Sequence, residues 1–245
     1  MEQSKQICLV IGAGDATGAA IGRAFAKEGY TTCLVRRPRH AEDLETLAQS
    51  IRDNGNDAIA MPCDARDENT IVSLYETIEN DIGPLDVVIF NIGANVRFSI
   101  TETSAQVYRK VWEMGCFSGF LAGREAAKYM IPRKRGTIIF TGATASIRGA
   151  SGFSAFAGAK HGLRALAQSM ARELGPKNIH VAHSIIDGAI DSPFIREILP
   201  DVDAKRAADA ILNPDHIAAQ YVMLHNQPRT AWTHEIDLRP WSETW

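Results

Sequence analysis

Short apolar runs recur along the chain at Ile7 to Ile11, Thr31 to Val35, Ala58 to Met61, Val87 to Phe90, Thr137 to Thr141 and Val181 to Ile186. The stretches between them repeat their apolar residues at helical spacing, as in Ile21, Phe25 and Ala26, then Leu44, Leu47 and Ile51, then Ile71, Leu74 and Ile78. This is a βαβα alternation. The strand candidates are apolar at consecutive positions, so both faces need cover, as in a parallel sheet between two helix layers. The pattern predicts an α/β chain with a three-layer doubly wound fold and a mostly parallel sheet. No repeat or Pro/Gly/Ser linker divides the chain, so residues 1–245 are read as one domain. The segment 189–213 is weakly patterned, which suits a substrate lid and equally an ordinary surface loop with a short helix.

Composition narrows the function classes. A formal net charge of -3 gives no excess of positive charge for a nucleic-acid backbone, so no nucleic-acid partner is expected. Cys8, Cys33 and Cys63 sit inside apolar runs and form no Cys-x-x-Cys pair, which reads as reduced, buried thiols. Met1 to Lys5 lead straight into the first strand, and no apolar stretch approaches the ~20 residues of a membrane span. A cytoplasmic protein with no membrane partner is the expectation.

The first strand is followed directly by Gly12-Ala13-Gly14-Asp15-Ala16-Thr17-Gly18 and a helix starting near Ala19. Glycines at a strand-to-helix turn let the backbone approach a pyrophosphate, and the free amides of the helix N-terminus attract its charge. In the first βα turn of such a chain, the run predicts dinucleotide binding. Where an NAD-selective protein would place a carboxylate after the second strand, this chain has Val35-Arg36-Arg37-Pro38-Arg39. Guanidinium groups match a 2′-phosphate in charge and fork geometry, so NADP(H) is preferred over NAD(H), a solvated basic loop being the plainer alternative. Asp64 and Ala65 follow the third strand, and Asp64 suits either the adenine amino group or the cap of a helix starting near Asp67.

Together these residues resemble the short-chain dehydrogenase/reductase family, from about Lys5 to the C-terminus. The family's Thr-Gly-x-x-x-Gly-x-Gly is similar to Ile11 to Gly18, with Ile11 for threonine and Ala16 for the middle glycine. Its Asn-Asn-Ala-Gly resembles Phe90-Asn91-Ile92-Gly93, from which Asn91 and Gly93 carry over. Its Pro-Gly turn beside the nicotinamide resembles Asp187-Gly188, followed by Ile190 and by Ser192 in place of a threonine. The resemblance implies the Rossmann fold with a seven-stranded sheet, whose last strand runs into Ile236 to Trp241 where the family often has Asp-Gly-Gly, a small-molecule substrate, and a homodimer or homotetramer. The apolar stripe Leu163, Leu166, Met170 and Leu174 fits a subunit interface or the chain's own core.

In the family, hydride transfer relies on a tyrosine acid/base, a serine, a lysine and an asparagine. Spacing maps these to Phe156, Ala143, Lys160 and Gly115, so only the lysine is kept. Phe156 and Lys160 are one turn apart on a helix, the geometry in which an ammonium lowers a tyrosine's pKa, but phenylalanine has no proton to give. The enoyl-reductase spacing places the tyrosine at Phe153 and fails as well. General acid-base assistance is worth roughly 10² to 10⁴ in rate, and a polarising donor about 10² to 10³ more. Losing both removes on the order of 5 to 9 kcal/mol of transition-state stabilisation, so ordinary ketone and alcohol activity should be weak or absent.

Substitute groups exist: Thr144 beside the serine position, Ser146 and Ser151 in the next loop, Asn95 and Arg97 after Gly93, and Arg148 for an acidic substrate. The plainer reading of each is a loop residue satisfying its own backbone or solvent. His161 should point about 100° around the helix from Lys160, and His180 and His183 lack partners at metal spacing. Two functions follow: an NADP(H)-dependent oxidoreductase with an atypical proton donor or a substrate needing none, and a catalytically silent NADP(H)-binding protein.

Overall fold

The computed structural model of the protein describes residues 5–244. Seven strands, β1 (Ile7–Ile11), β2 (Thr31–Val35), β3 (Ala58–Ala60), β4 (Leu85–Phe90), β5 (Thr137–Thr141), β6 (His180–Ile186) and β7 (Glu235–Leu238), form one sheet in the order β3-β2-β1-β4-β5-β6-β7. Every neighbouring pair is parallel. The chain steps outward from β1 through β2 to β3, then crosses back to β4 on the other side of β1. That reversal opens a crevice at the carboxyl ends of β1 and β4, where ligands of open α/β sheets bind.

The consecutive apolar positions of β1 divide between two cores. Ile7, Leu9 and Ile11 face one layer, with α3 (Glu68–Thr77), α5 (Ser118–Arg133) and α6 (Ser154–Leu174). Cys8 and Val10 face the other, with α1 (Thr17–Lys27), α2 (Ala41–Asp53) and α9 (Pro214–His225). Leu163 and Leu174 of α6 are buried, and the partly buried Leu166 and Met170 pack against the same cluster, so the chain's own core takes up part of the stripe. The four cysteines are free and buried; burial pushes the Cys33 and Cys63 thiols up to about 12.

β3 ends at Ala60 rather than Met61, and β4 and β6 differ from the sequence reading because a polar residue interrupts the apolar pattern. β4 begins two residues earlier, at Leu85, because Asp86 is buried with its carboxylate accepting from the Ile7 amide at 3.1 Å and paired with Arg135 at 2.6 Å. β6 gains His180, whose ring stacks on Trp232 with centroids 4.9 Å apart. The helix after β3 is capped by Asp67, which accepts from the Thr70 amide at 2.8 Å, so Asp64 is not its cap.

The weakly patterned segment 189–213 holds two short helices, α7 (Pro193–Ile198) and α8 (Val202–Ala207). Packed against α6, α4 (Ala105–Trp112) runs through a wider π turn at Glu113–Phe117 into α5. No helix among the described residues is long and apolar enough to cross a membrane.

Candidate functional site

A cavity of about 740 Å³ lies over the carboxyl ends of the strands. One end is formed by the glycine turn. Gly12 has φ +98°, and a Cβ there would stand 2.6 Å from the Asn91 carbonyl oxygen; a Cβ on Gly18 would stand 2.2 Å from the Gly12 carbonyl oxygen. These two positions need glycine for backbone-to-backbone packing. Gly14 differs, with nothing within 4 Å of where a Cβ would lie; it lines the cavity while its own amide donates to the Gly12 carbonyl at 2.9 Å. Asp15, Ala16 and Thr17 complete this wall, and Asn91 fastens it by donating its side-chain amide to the Gly12 carbonyl at 3.1 Å.

The neighbouring wall is basic. Arg36, Arg37, His40 and Arg66 line it beside Asp64 and Ala65. Arg36 lies 3.6 Å from Asp43. Arg37 has its pKa lowered by burial and then by the nearby Arg39 and Arg66 cations, so the cluster carries more positive charge than its carboxylates balance. Asp64 receives Arg66 through Nε at 2.9 Å, and this contact holds its carboxyl below the usual range.

The far end is apolar with a few polar groups: Met114, Phe153, Phe156, Ile190, Phe194 and Ile195, with Asn95, Ala143, Thr144, Arg148, Lys160, Gly188 and Ser192. Gly93 lies on the rim, exposed. Lys160 is only 2% exposed, and its ammonium donates to the carbonyls of Thr141 at 2.8 Å and Ile92 at 3.1 Å. Burial lowers its pKa to about 8.

Two residues expected at the site stand behind its wall. Gly115 is buried in the π turn, where a Cβ would lie 3.1 Å from that of Ala159 and 3.4 Å from that of Ala94. Asp187 is fully buried and does not line the cavity. Its carboxylate accepts the Thr144 hydroxyl at 2.6 Å and the Arg148 guanidinium at 3.3 Å, with Arg239 at 3.7 Å. Thr144 therefore turns its proton away from the cavity and its lone pairs toward it.

The remaining candidates are occupied locally. His161 places Nδ1 2.9 Å from the Ala157 carbonyl on its own helix. His183 is buried against Glu235 at 3.0 Å, and burial lowers its pKa to about 4. Ser146 accepts from the Ala143 amide at 3.1 Å, and Arg97 lies over the Phe153 ring at 5.8 Å. No group of three His, Cys, Asp or Glu side chains among the described residues could hold a metal. The sequence reading missed the Asp187 network and the wall residues Arg66, Met114, Phe194 and Ile195. Only Arg66, two residues after Asp64, carried a local signal.

A parallel sheet in this order, with a glycine turn at its switch point and a basic wall after β2, is the doubly wound Rossmann architecture. The chain belongs to the short-chain dehydrogenase family, whose model matches residues 6–203. It is 47% identical to a short-chain dehydrogenase from Rhodopseudomonas palustris of known crystal structure, with a TM-score of 0.82 over 96% of this chain and 99% of that one. It is 30% identical over 224 residues to the short-chain dehydrogenase/reductase eriH of Hericium erinaceus, covering 88% of each. An actinorhodin polyketide ketoreductase crystallised with NADPH shares the fold, with a TM-score of 0.87 at 23% identity over 96% of each chain.

Proposed function

We propose that this chain is an NADP(H)-preferring oxidoreductase of the short-chain dehydrogenase family whose proton does not come from the family's tyrosine position. The observation that carries the reading is one continuous cavity, running from the open face of Gly14 and the Arg36/Arg37 wall to Lys160 and Thr144. The open space at Gly14 fits a pyrophosphate, and the under-neutralised arginines fit a 2′-phosphate.

In this reading Gly12 to Gly18, Asn91 and Gly93 shape the cofactor cradle, Ala65 packs beside the adenine, and Arg36 and Arg37 hold the 2′-phosphate. Asp64 is tied to Arg66, so it serves the adenosine end by placing that guanidinium. Lys160 keeps one hydrogen for the ribose hydroxyls after its two carbonyl bonds. Gly188, Ile190 and Ser192 border the nicotinamide, and Asp187 supports them from behind through Thr144. NADP(H), when bound, supplies or accepts the hydride. Phe156 and Ala143 give the cavity wall no acid, which makes the proton source atypical.

The actinorhodin ketoreductase with NADPH supports the cofactor class, and the family supports a small-molecule substrate. A homodimer or homotetramer in the cytoplasm completes the proposal; Tyr108, Trp112 and Phe120, exposed on α4 and α5, favour burial against further copies. Calorimetric titration should show NADPH binding at least tenfold more tightly than NADH. Equal or reversed affinities would refute the cofactor preference. The packed Gly115 and hydroxyl-free Phe156 favour a second reading, a silent NADP(H)-binding protein, which turnover of any substrate would exclude.

A further inference from the structure

The polar groups at the apolar end of the cavity can hydrogen-bond to a developing oxyanion, but they are poor acids. Thr144 and Ser192 are alcohols, Asn95 is an amide, and Arg148 carries a guanidinium that does not release its proton. The Thr144 proton is already given to Asp187 at 2.6 Å. Lys160 is the one titratable cation there; two of its hydrogens go to Thr141 and Ile92, and the third is committed to the cofactor ribose in the reading above. Phe153 and Phe156 add two aromatic rings and no donor.

A hydride adduct formed in such a cavity has to carry its negative charge until water protonates it. We infer that the substrate is a planar quinone, held between the apolar walls with one oxygen toward Arg148. The inference rests on the NADP(H) reading above. The hydride leaves NADPH, giving NADP+, and forms an O–H bond at one quinone oxygen; that carbonyl's π pair shifts into the ring and the opposite C=O π pair moves onto the oxygen facing Arg148, leaving an aromatic ring that spreads the charge. The resulting hydroquinone monoanion then takes its proton from water. A phenolate belongs to an acid of pKa about 10, whereas an isolated alkoxide is comparable with hydroxide, from water at about 15.7. The quinone adduct is therefore easier to carry as an anion by roughly 10⁵ to 10⁶. Arg148 supplies the opposing charge from a side chain 38% exposed, able to reach the cavity while it holds Asp187.

The test compares menadione with acetophenone as oxidants of NADPH in the full-length protein. Expected are a kcat/KM for menadione at least 100-fold above that for acetophenone and calorimetric binding of menadione in the presence of NADP+. Arg148→Gln should weaken that binding at least fivefold at unchanged NADPH affinity; if its melting temperature falls sharply, Arg148→Lys is expected to restore most of the binding. Phe156→Tyr should raise acetophenone reduction without raising menadione reduction. Comparable kcat/KM values for the two oxidants would overturn the inference, as would absent menadione binding and turnover while NADPH still binds. A protein that fails to bind NADPH would overturn the cofactor reading itself, and the substrate inference with it.

Discussion

Lys160 and Thr141 are locked together: the buried ammonium donates to the Thr141 carbonyl at 2.8 Å while also holding the Ile92 carbonyl at 3.1 Å. One side chain of α6 thus ties the end of β5 to the turn that follows β4, under the middle of the cavity.

Burial lowers the Lys160 pKa from 10.5 to about 8. Between those values the unfolded chain binds a proton that the folded one releases, so this group makes stability rise with pH across about 8 to 10.5. The cost of burying the charge, on the order of 3 kcal/mol at 1.36 kcal/mol per pKa unit, applies in full below pH 8 and is relieved toward 10.5. Urea unfolding at pH 7.5 and 10 should show a smaller rise in Lys160→Met than in the parent protein. An identical rise in both proteins would mean that the lysine is not titrating in this range.

The Thr144–Asp187 contact gives a stability expectation. Asp187→Asn leaves two guanidiniums facing a neutral amide, and breaking a fully buried pair costs about 3 to 5 kcal/mol. Arg148 is partly exposed and can turn to water, so a loss of about 2 kcal/mol is expected here. Thr144→Val removes one hydrogen bond to a charged group and should cost about 1 to 2 kcal/mol. Thermal unfolding of both single variants and the double variant checks this, with the double falling short of the sum because the two residues share one bond.

Arg37→Gln should raise the NADPH dissociation constant about tenfold and leave that for NADH within about twofold, since only the former has a 2′-phosphate to lose. Calorimetry with both cofactors in the variant measures the contrast. A similar loss for both would move Arg37 away from the phosphate and onto a shared part of the cofactor.

Restoring Phe156→Tyr together with Ala143→Ser should give partial activity on simple ketones, because both positions line the cavity. Adding Gly115→Asn should not help. Its Cβ would approach that of Ala159 to 3.1 Å, and overpacking of this kind costs about 1 to 3 kcal/mol. Ketone assays and melting temperatures of the double and triple variants separate the two effects.

The sheet and the glycine turn were legible because their signals are local: consecutive apolar residues for β1, β2 and β5, and small residues at one turn for Gly12 to Gly18. Leu85 and His180 escaped because Asp86 and His180 itself break the apolar pattern, their burial being compensated by Ile7, Arg135 and Trp232. The placement of Asp187 behind the wall was not legible, since it depends on Thr144 and Arg148 from after β5 and Arg239 from after β7. The packing of Gly115 was not legible either, since the π turn is what brings it between Ala159 of α6 and Ala94.

Asp191 joins the two short helices at the cavity's edge, accepting Arg196 of α7 at 2.9 Å and Arg206 of α8 at 2.8 Å, which lowers its carboxyl to about 2. The pairing of Ile190 with Leu212 closes the base of the same segment. Helices of six residues have little persistence alone, but a shared carboxylate couples them, so Phe194 and Ile195 travel with α8. Salt, by loosening the exposed arginines, should therefore weaken the coupling between α7 and α8 before it touches the Ile190–Leu212 pairing beneath them.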